Sequence, residues 1–300
     1  MNSFGLMFMM KAPLLSKLYL VALIMINAPY STDLQAQLLV EGEQDLSGLH
    51  TYRDINYIES AIYADDKDKL DIFMPEGQKD IPVILFFHGG ALKAGTKLDG
   101  EALAARMKGF GIGVVSANYR LTPTVQHPGH VNDAAAAFAW AKENIHHYGG
   151  DPSRIYLSGH SSGAYLAVLL AMDPAHLQKQ GLKIEAIKGV LPISPFLYVE
   201  ETAKDRPKDV WGEDPNDWYK ASVSLHIKSG KPPMLMIYAD GDEDWRREQN
   251  ERFVTEMKSV GNESIDSLEV TNRDHFTIIT HMNNEDDNIR DAILTFVNTD

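Results

Sequence analysis

The segment from Arg154 to Met172 limits the possible fold more than any other part of the chain. Arg154–Ser158 (RIYLS) reads as a strand and Ala164–Met172 (AYLAVLLAM) as a buried helix. Only Gly159-His160-Ser161-Ser162-Gly163 lies between them. So short a passage from strand to helix forces a sharp turn with a strained residue at its apex. Glycines on either side of that apex leave room for neighbouring backbone. The apex residue, Ser161, would present its hydroxyl at a helix N-terminus. Unpaired N–H groups and the helix dipole favour negative charge there.

The rest of the chain extends this strand–helix unit. Strands are expected at Lys69–Met74, Ile81–Phe87, Ile112–Asn118, Arg154–Ser158, Ile187–Ile193 and Met234–Ala239. Helices are expected at Asp99–Gly109, Val131–His147, Ser162–Met172, Arg246–Val260 and Asp286–Asn298. Several of the strands are short, continuous apolar runs, as expected where both faces of a sheet are covered. The pattern implies an α/β fold with a mainly parallel central sheet and helices on both faces. The run around Asp54–Glu59 has no helix between it and Lys69–Met74, so the pair is expected to form an antiparallel edge. Residues 194–232, rich in Pro, Trp and Tyr, interrupt the alternation and are expected to form a small cap insertion in a single domain spanning 37–300.

The motif Gly159–Gly163 in this setting matches a nucleophile elbow, with Ser161 as nucleophile; Ser162 offers a second hydroxyl one residue into the helix. Acyl transfer also needs N–H donors aimed at the developing negative charge. His88-Gly89-Gly90-Ala91 follows the most apolar strand and supplies them, so the N–H groups of Gly90, Ala91 and Ser162 are the expected oxyanion hole. His88 reads as part of the loop scaffold. A serine hydroxyl needs a base, expected at His275 in the turn Asn272–Phe276, with His281 and His226 as rivals. The acid that orients this base should follow the strand Met234–Ala239. Asp244 is the expected acid and Asp242 the alternative. Asp240, Asp242, Asp244 and Glu251 also fall at positions 1, 3, 5 and 12 of a calcium loop, but Trp245 stands where that loop requires glycine. No metal and no organic cofactor is expected.

Composition narrows the remaining classes. The formal net charge of −14 argues against nucleic acid or anionic lipid as a partner held by net charge. With no cysteine, disulfides, thiolate catalysis and Cys-ligated metals are excluded. Lys11 and Lys17 precede the apolar run Leu18–Ile26, and Leu34-Gln35-Ala36 resembles a cleavage site. Residues 1–36 therefore read as a secretory signal peptide, and a periplasmic or secreted location is expected. No membrane span is expected in the mature chain.

The motifs HGGALKAG (88–95), NYRLTP (118–123), YGGDPSRIYLSGHSSGAYLA (148–167), DGDED (240–244) and DHF (274–276) carry a family resemblance. Over residues 54–298 the chain resembles the esterase/lipase branch of the α/β-hydrolase superfamily. It is most similar to hormone-sensitive-lipase-like and feruloyl-esterase-like carboxylesterases and to kynurenine formamidases. The resemblance implies Ser161, Asp244 and His275 as a catalytic triad and a small-molecule ester as substrate. Because the sequence shows no large lid, short-acyl or aromatic esters are expected, and the expected export points to acetyl or feruloyl sugar esters as one class. Formamide hydrolysis and a non-catalytic binding role are the alternatives. Ala91 and Leu92 depart from the Gly or bulky aromatic that many relatives carry after His-Gly-Gly, which would reshape an acyl pocket.

Overall fold

A computed structural model describes residues 44–58, 63, 65–202, 208–281 and 288–299. The signal-like segment 1–36 and the acidic stretch 284–287 lie outside the described residues. The strands are β1 (Leu49–Asn56), β2 (Lys69–Pro75), β3 (Ile81–Phe87), β4 (Gly113–Ala117), β5 (Gly150–His160), β6 (Gly189–Ile193), β7 (Met234–Gly241) and β8 (Ile265–Asp274). The longer helices are α1 (Gly100–Met107), α2 (Gly129–Asn144), α3 (Ser162–Met172), α4 (Asp244–Ser259) and α5 (Asn288–Asn298). The strands form one sheet in the order β1-β2-β4-β3-β5-β6-β7-β8. β2 pairs antiparallel with β1 and with β4, and every other pairing is parallel.

Two cores explain why the central strands are apolar throughout. Along β3, Val83, Leu85 and Phe87 enter a core on one face of the sheet, while Ile84 and Phe86 enter a core on the other. The period-2 alternation of a strand divides its side chains in this way, and a strand covered on both faces must be apolar at every position. The first core takes α3 and the inner face of α2, including Ala134, Phe138 and Ala141. The second takes Leu103, Ala104 and Met107 of α1 and Ile289, Ile293 and Val297 of α5. Every residue of α3 is buried, which accounts for its all-round apolar sequence.

The expected fold class is present, with differences in detail. The antiparallel edge forms, but its outer strand is Leu49–Asn56, upstream of the expected run. β8 had no counterpart in the sequence reading. It is an edge strand, and of its ten residues only Ile265 and Val270 are buried, so it has no continuous apolar run to recognise. The insertion 194–232 contains short helices at Val199–Thr202, Lys208–Trp211 and Pro215–Ala221. Its aromatics are largely committed to packing. Trp211 meets Tyr165 of α3 and Phe196 edge-on, and the Tyr165 hydroxyl donates to the Ala221 carbonyl at 2.8 Å. Gln249 of α4 ties the start of the insertion down by accepting from the N–H groups of Leu197 and Tyr198.

The junction of β3, β5 and α3 is the tightest backbone approach near the carboxyl edge. Phe87 pairs in register with Gly159, so the two strands end side by side. A Cβ on Gly163 would lie 2.1 Å from the Phe87 carbonyl oxygen and 2.4 Å from that of His88. A Cβ on Gly159 would meet the Gly163 backbone at 2.5 Å. Both obstacles are main chain, which cannot swing aside as a long side chain can. Gly163→Ala is therefore expected to destabilise the fold by about 1–3 kcal/mol or more. Thermal and urea denaturation measure this, and an unchanged Tm would contradict so close an approach.

Candidate active site

The parallel strands bring their carboxyl ends to one edge of the sheet. β3 connects to β4 on one side and β5 to β6 on the other, so the chain diverges there, the kind of switch point at which open α/β sheets form a crevice. Ser161 follows β5 at this edge with φ 54° and ψ −115°, a conformation costing about 1–3 kcal/mol for a residue with a side chain. Two bonds hold it: the Ser161 N–H donates to the Ile193 carbonyl at 2.9 Å, and its own carbonyl accepts from the Tyr165 N–H at 3.0 Å. The side chain is left projecting from the apex, only partly covered.

The Ser161 hydroxyl lies 3.0 Å from His275 Nε2, placed to donate to it. On the far side of the ring, the His275 Nδ1–H donates to Asp242 Oδ1 at 2.7 Å. The loop carrying His275 is held from several directions. Asp240 accepts from the N–H groups of Asn272 and Arg273. The Asp274 carboxylate accepts from the N–H groups of Phe276 and Thr277, closing a turn directly after the histidine. The rival histidines lie elsewhere: His226 faces Asp173, and His281 sits exposed after a short helix.

The carboxylate that the structure sets against His275 is Asp242, not the expected Asp244. β7 runs on to Gly241, and the helix begins at Asp244, two residues earlier than the sequence suggested. Asp244 is consequently a first-turn helix residue whose side chain is 86% exposed and pairs with Arg247 at 2.6 Å. Asp242 sits between strand and helix with its side chain fully enclosed. A register irregularity between β7 and β8 carries Gly241 opposite Asp274 and so sets Asp242 beside His275. Only glycine fits at 241, because a Cβ would lie 2.6 Å from the Arg273 carbonyl.

Charge at the site follows from these contacts. Burial pushes the Asp242 carboxyl up, but donors outweigh it: the His275 ring, the Ser194 hydroxyl at 2.6 Å and the Ala239 N–H at 3.0 Å hold it at about 2. Burial, reinforced by the Arg246 guanidinium, pulls the His275 imidazole below its ordinary value. Asp242, Glu243 and His275 present ligand atoms within 4.8 Å of one another. Those groups are already committed, Asp242 and His275 to each other and Glu243 to Arg246 at 3.0 Å. The calcium-loop carboxylates likewise diverge, Asp240 to backbone N–H groups, Asp242 to His275 and Asp244 to Arg247.

The loop after β3 lies against the elbow. A Cβ on Gly89 would come within 3.5 Å of the Ser161 Cβ. Gly90, Ala91 and Leu92 take φ values of 106°, 55° and 64°, three consecutive left-handed residues that turn the chain on itself. Among the described residues, no hydrogen bond is made by the N–H groups of Gly90 and Ala91. The Ser162 N–H opens α3 and has no helical carbonyl one turn before it. The Ser162 hydroxyl, by contrast, is buried and accepts from the Leu92 N–H at 3.3 Å. Leu92 is itself fully buried in the core, so its side chain is packed below the crevice. His88 is buried and stacked on Tyr119 at 4.2 Å, and its Nδ1–H donates to the Gly89 carbonyl at 2.8 Å. Burial pushes it down to about 3, so it stays neutral beneath the loop.

Three further residues at the site escaped the sequence reading. Ser194 and Arg246 brace Asp242 from β6 and α4, and the Arg246 guanidinium also donates to the Ser194 carbonyl at 3.0 Å. Nothing local to their sequences marks them. His160 lies inside the elbow motif itself and donates to the His275 carbonyl at 2.7 Å.

Several known proteins are similar to this chain. The chain is 25% identical over 236 residues to esterase LipC of Mycobacterium tuberculosis, covering 71% of this chain and 58% of that protein. It is 29% identical to esterase LipQ of the same organism, covering 65% of this chain and 50% of that protein. The chain thus spans between half and three-fifths of the length of these curated relatives. Kynurenine formamidase of Danio rerio is 25% identical, over 81% of this chain and 80% of that protein. Among solved structures, a truncated carbohydrate esterase from gut microbiota superposes with a TM-score of 0.74 at 19% identity, covering 86% of this chain and 98% of that one. Esterase B from Lactobacillus rhamnosis also reaches 0.74, at 18% identity, covering 89% and 92%. These two likenesses establish the α/β-hydrolase fold. The BD-FAE family matches residues 70–257, from β2 through Ser161 and Asp242 into α4. With more than half its length accounted for in this way, the chain belongs to the BD-FAE family.

Proposed function

We propose that the protein is a serine carboxylesterase acting on short-acyl or aromatic esters. The observation that carries this reading is the continuous run of hydrogen bonds from Ser161 through His275 to Asp242 at the carboxyl edge of the sheet. In the first half-reaction, Ser161 Oγ attacks the ester carbonyl carbon while its proton passes to His275 Nε2. Asp242 holds the ring and stabilises the imidazolium. The tetrahedral oxyanion is received by the N–H groups of Gly90, Ala91 and Ser162. His275 returns the proton to the leaving alcohol, and an acyl-enzyme remains. Water then repeats the sequence and releases the acid. None of these steps calls for a metal or organic cofactor.

Family membership and the esterase relatives support the ester-hydrolase assignment. Within that assignment we take acetyl or feruloyl sugar esters as the substrate class; the structural neighbour named a carbohydrate esterase is in keeping with a sugar ester. The basic and apolar pattern of residues 11–36 supports export to a periplasm or the medium. A second reading, amide hydrolysis of the formamidase type, is favoured by one observation: the Danio rerio formamidase is matched over 80% of its length, more than either mycobacterial esterase. Turnover of N-formylkynurenine against acetylated and feruloylated sugars separates the two.

Ser161→Ala is expected to abolish hydrolysis of p-nitrophenyl acetate and butyrate, and retained turnover would end the assignment. Asp242→Asn should lower kcat by about 10²–10⁴-fold through loss of the correct imidazole tautomer. Asp244→Asn should stay within about twofold of the parent; the reverse ranking would restore Asp244 as the acid. The pH profile follows from His275, which works as a base only when neutral. Its value is depressed, so activity should persist below the ordinary histidine value of 6.5 and fall as the pH drops through the depressed value. An acid-side midpoint in kcat/KM above 6.5 would contradict the environment described for the ring.

A further inference from the structure

His160 occupies an unusual place: it is bonded covalently to Ser161, and its ring is hydrogen-bonded to the main chain of His275. Its Nε2–H donates to the His275 carbonyl oxygen at 2.7 Å, and the two rings lie 4.8 Å apart, tilted by 39°. On its other side the ring abuts the loop after β3, where a Cβ on Gly89 would lie 3.0 Å from Nδ1. The side chain is therefore clasped between the elbow, the oxyanion loop and the loop of the base, and is almost wholly buried.

Among the described residues, the other bonds that hold the His275 loop run to β7 or within the loop itself. Asp240 and Asp242 grip it from the end of β7, and Asp274 closes the turn. The bond from the Ser161 hydroxyl to His275 Nε2 does cross to β5, but the reaction consumes it. Once Ser161 Oγ is esterified, it has no proton to donate. The bond from His160 to the His275 carbonyl does not involve the Ser161 hydroxyl, so esterification removes neither its donor nor its acceptor.

We propose that His160 is a positioning residue that holds His275 over the acyl-enzyme, so that its main effect falls on deacylation. This rests on the serine-esterase reading above. In that step water adds to the acyl carbonyl carbon and gives its proton to His275 Nε2. The proton then passes to Ser161 Oγ as the acyl C–O bond breaks, freeing the carboxylic acid and restoring the serine. His275 must keep its place for the incoming water without help from the Ser161 hydroxyl. Burial pushes His160 down to about 3, so it remains neutral and adds no charge against the imidazolium that forms beside it.

The test compares His160→Phe, which keeps an aromatic ring but lacks the N–H, with His160→Gln, which keeps an N–H donor near the same point. Both are assayed on p-nitrophenyl acetate in the steady state and by rapid mixing. His160→Phe is expected to lower kcat by about 10- to 100-fold, the scale of a misplaced catalytic group. KM should fall with it, so that kcat/KM changes less, and a burst of p-nitrophenol should approach one equivalent per enzyme. His160→Gln should recover most of the loss. A Phe variant that deacylates at the parent rate, or Phe and Gln variants equally slow, would overturn the proposal. A measurement on the unmodified enzyme stands apart from variant folding. In ¹⁵N-histidine NMR near neutral pH, His160 should be the Nε2-protonated neutral tautomer, and an Nδ1-protonated ring would overturn the proposal. Retained hydrolysis by Ser161→Ala would remove the underlying reading. A Ser161-dependent acyl-enzyme that turns over normally in His160→Phe would remove this inference alone.

Discussion

The carbonyls of Phe87 and His88 occupy the space that a side chain on residue 163 would fill. That contact lets β3, β5 and the start of α3 converge, and the site is built on the convergence. It brings the loop after β3 against Ser161 and stabilises a serine backbone that would not hold its φ of 54° alone. The apex is held in place because its N–H and C=O groups are satisfied, one by β6 and the other by α3. A strained residue endures where its surroundings leave it no alternative, and here those surroundings are main chain on two sides.

The remaining site residues reach the same edge by strand register. Phe87 lies opposite Gly159, His160 opposite Ile193 and Ile193 opposite Ile237, so the ends of β3, β5, β6 and β7 form a row. Each strand hands one group to the crevice: the glycine loop, Ser161, Ser194 and Asp242. β8 completes the row with His275. Asp242 shows how burial and bonding combine. A carboxylate removed from water would ordinarily take up a proton, yet three donors keep it ionised, and an ionised carboxylate is what an imidazolium partner needs.

Several elements were legible from sequence because their causes are local. α3 was read to its exact ends, since a wholly apolar run opened by Ser-Gly and closed by Asp173-Pro174 admits little else. β3 was equally plain as seven apolar residues before a glycine pair. β8 was not, because an edge strand shares its polarity with solvent and has no periodic run long enough to stand out. His160 was in view within the elbow motif, but its partner is a carbonyl contributed from the other side of the crevice, which no spacing rule reports.

The sequence by itself determined the strand–turn–helix around Ser161, the parallel sheet, the glycine loop after β3 and the histidine of the late turn. Each depends on residue types that restrict their own backbone or alternate with a fixed period. Only the tertiary structure decided between Asp242 and Asp244. Two carboxylates two residues apart in an acidic loop are equivalent to any local rule. The choice was made by where β7 ends, where α4 begins and how a register irregularity against β8 turns one of them toward His275 while leaving the other in water.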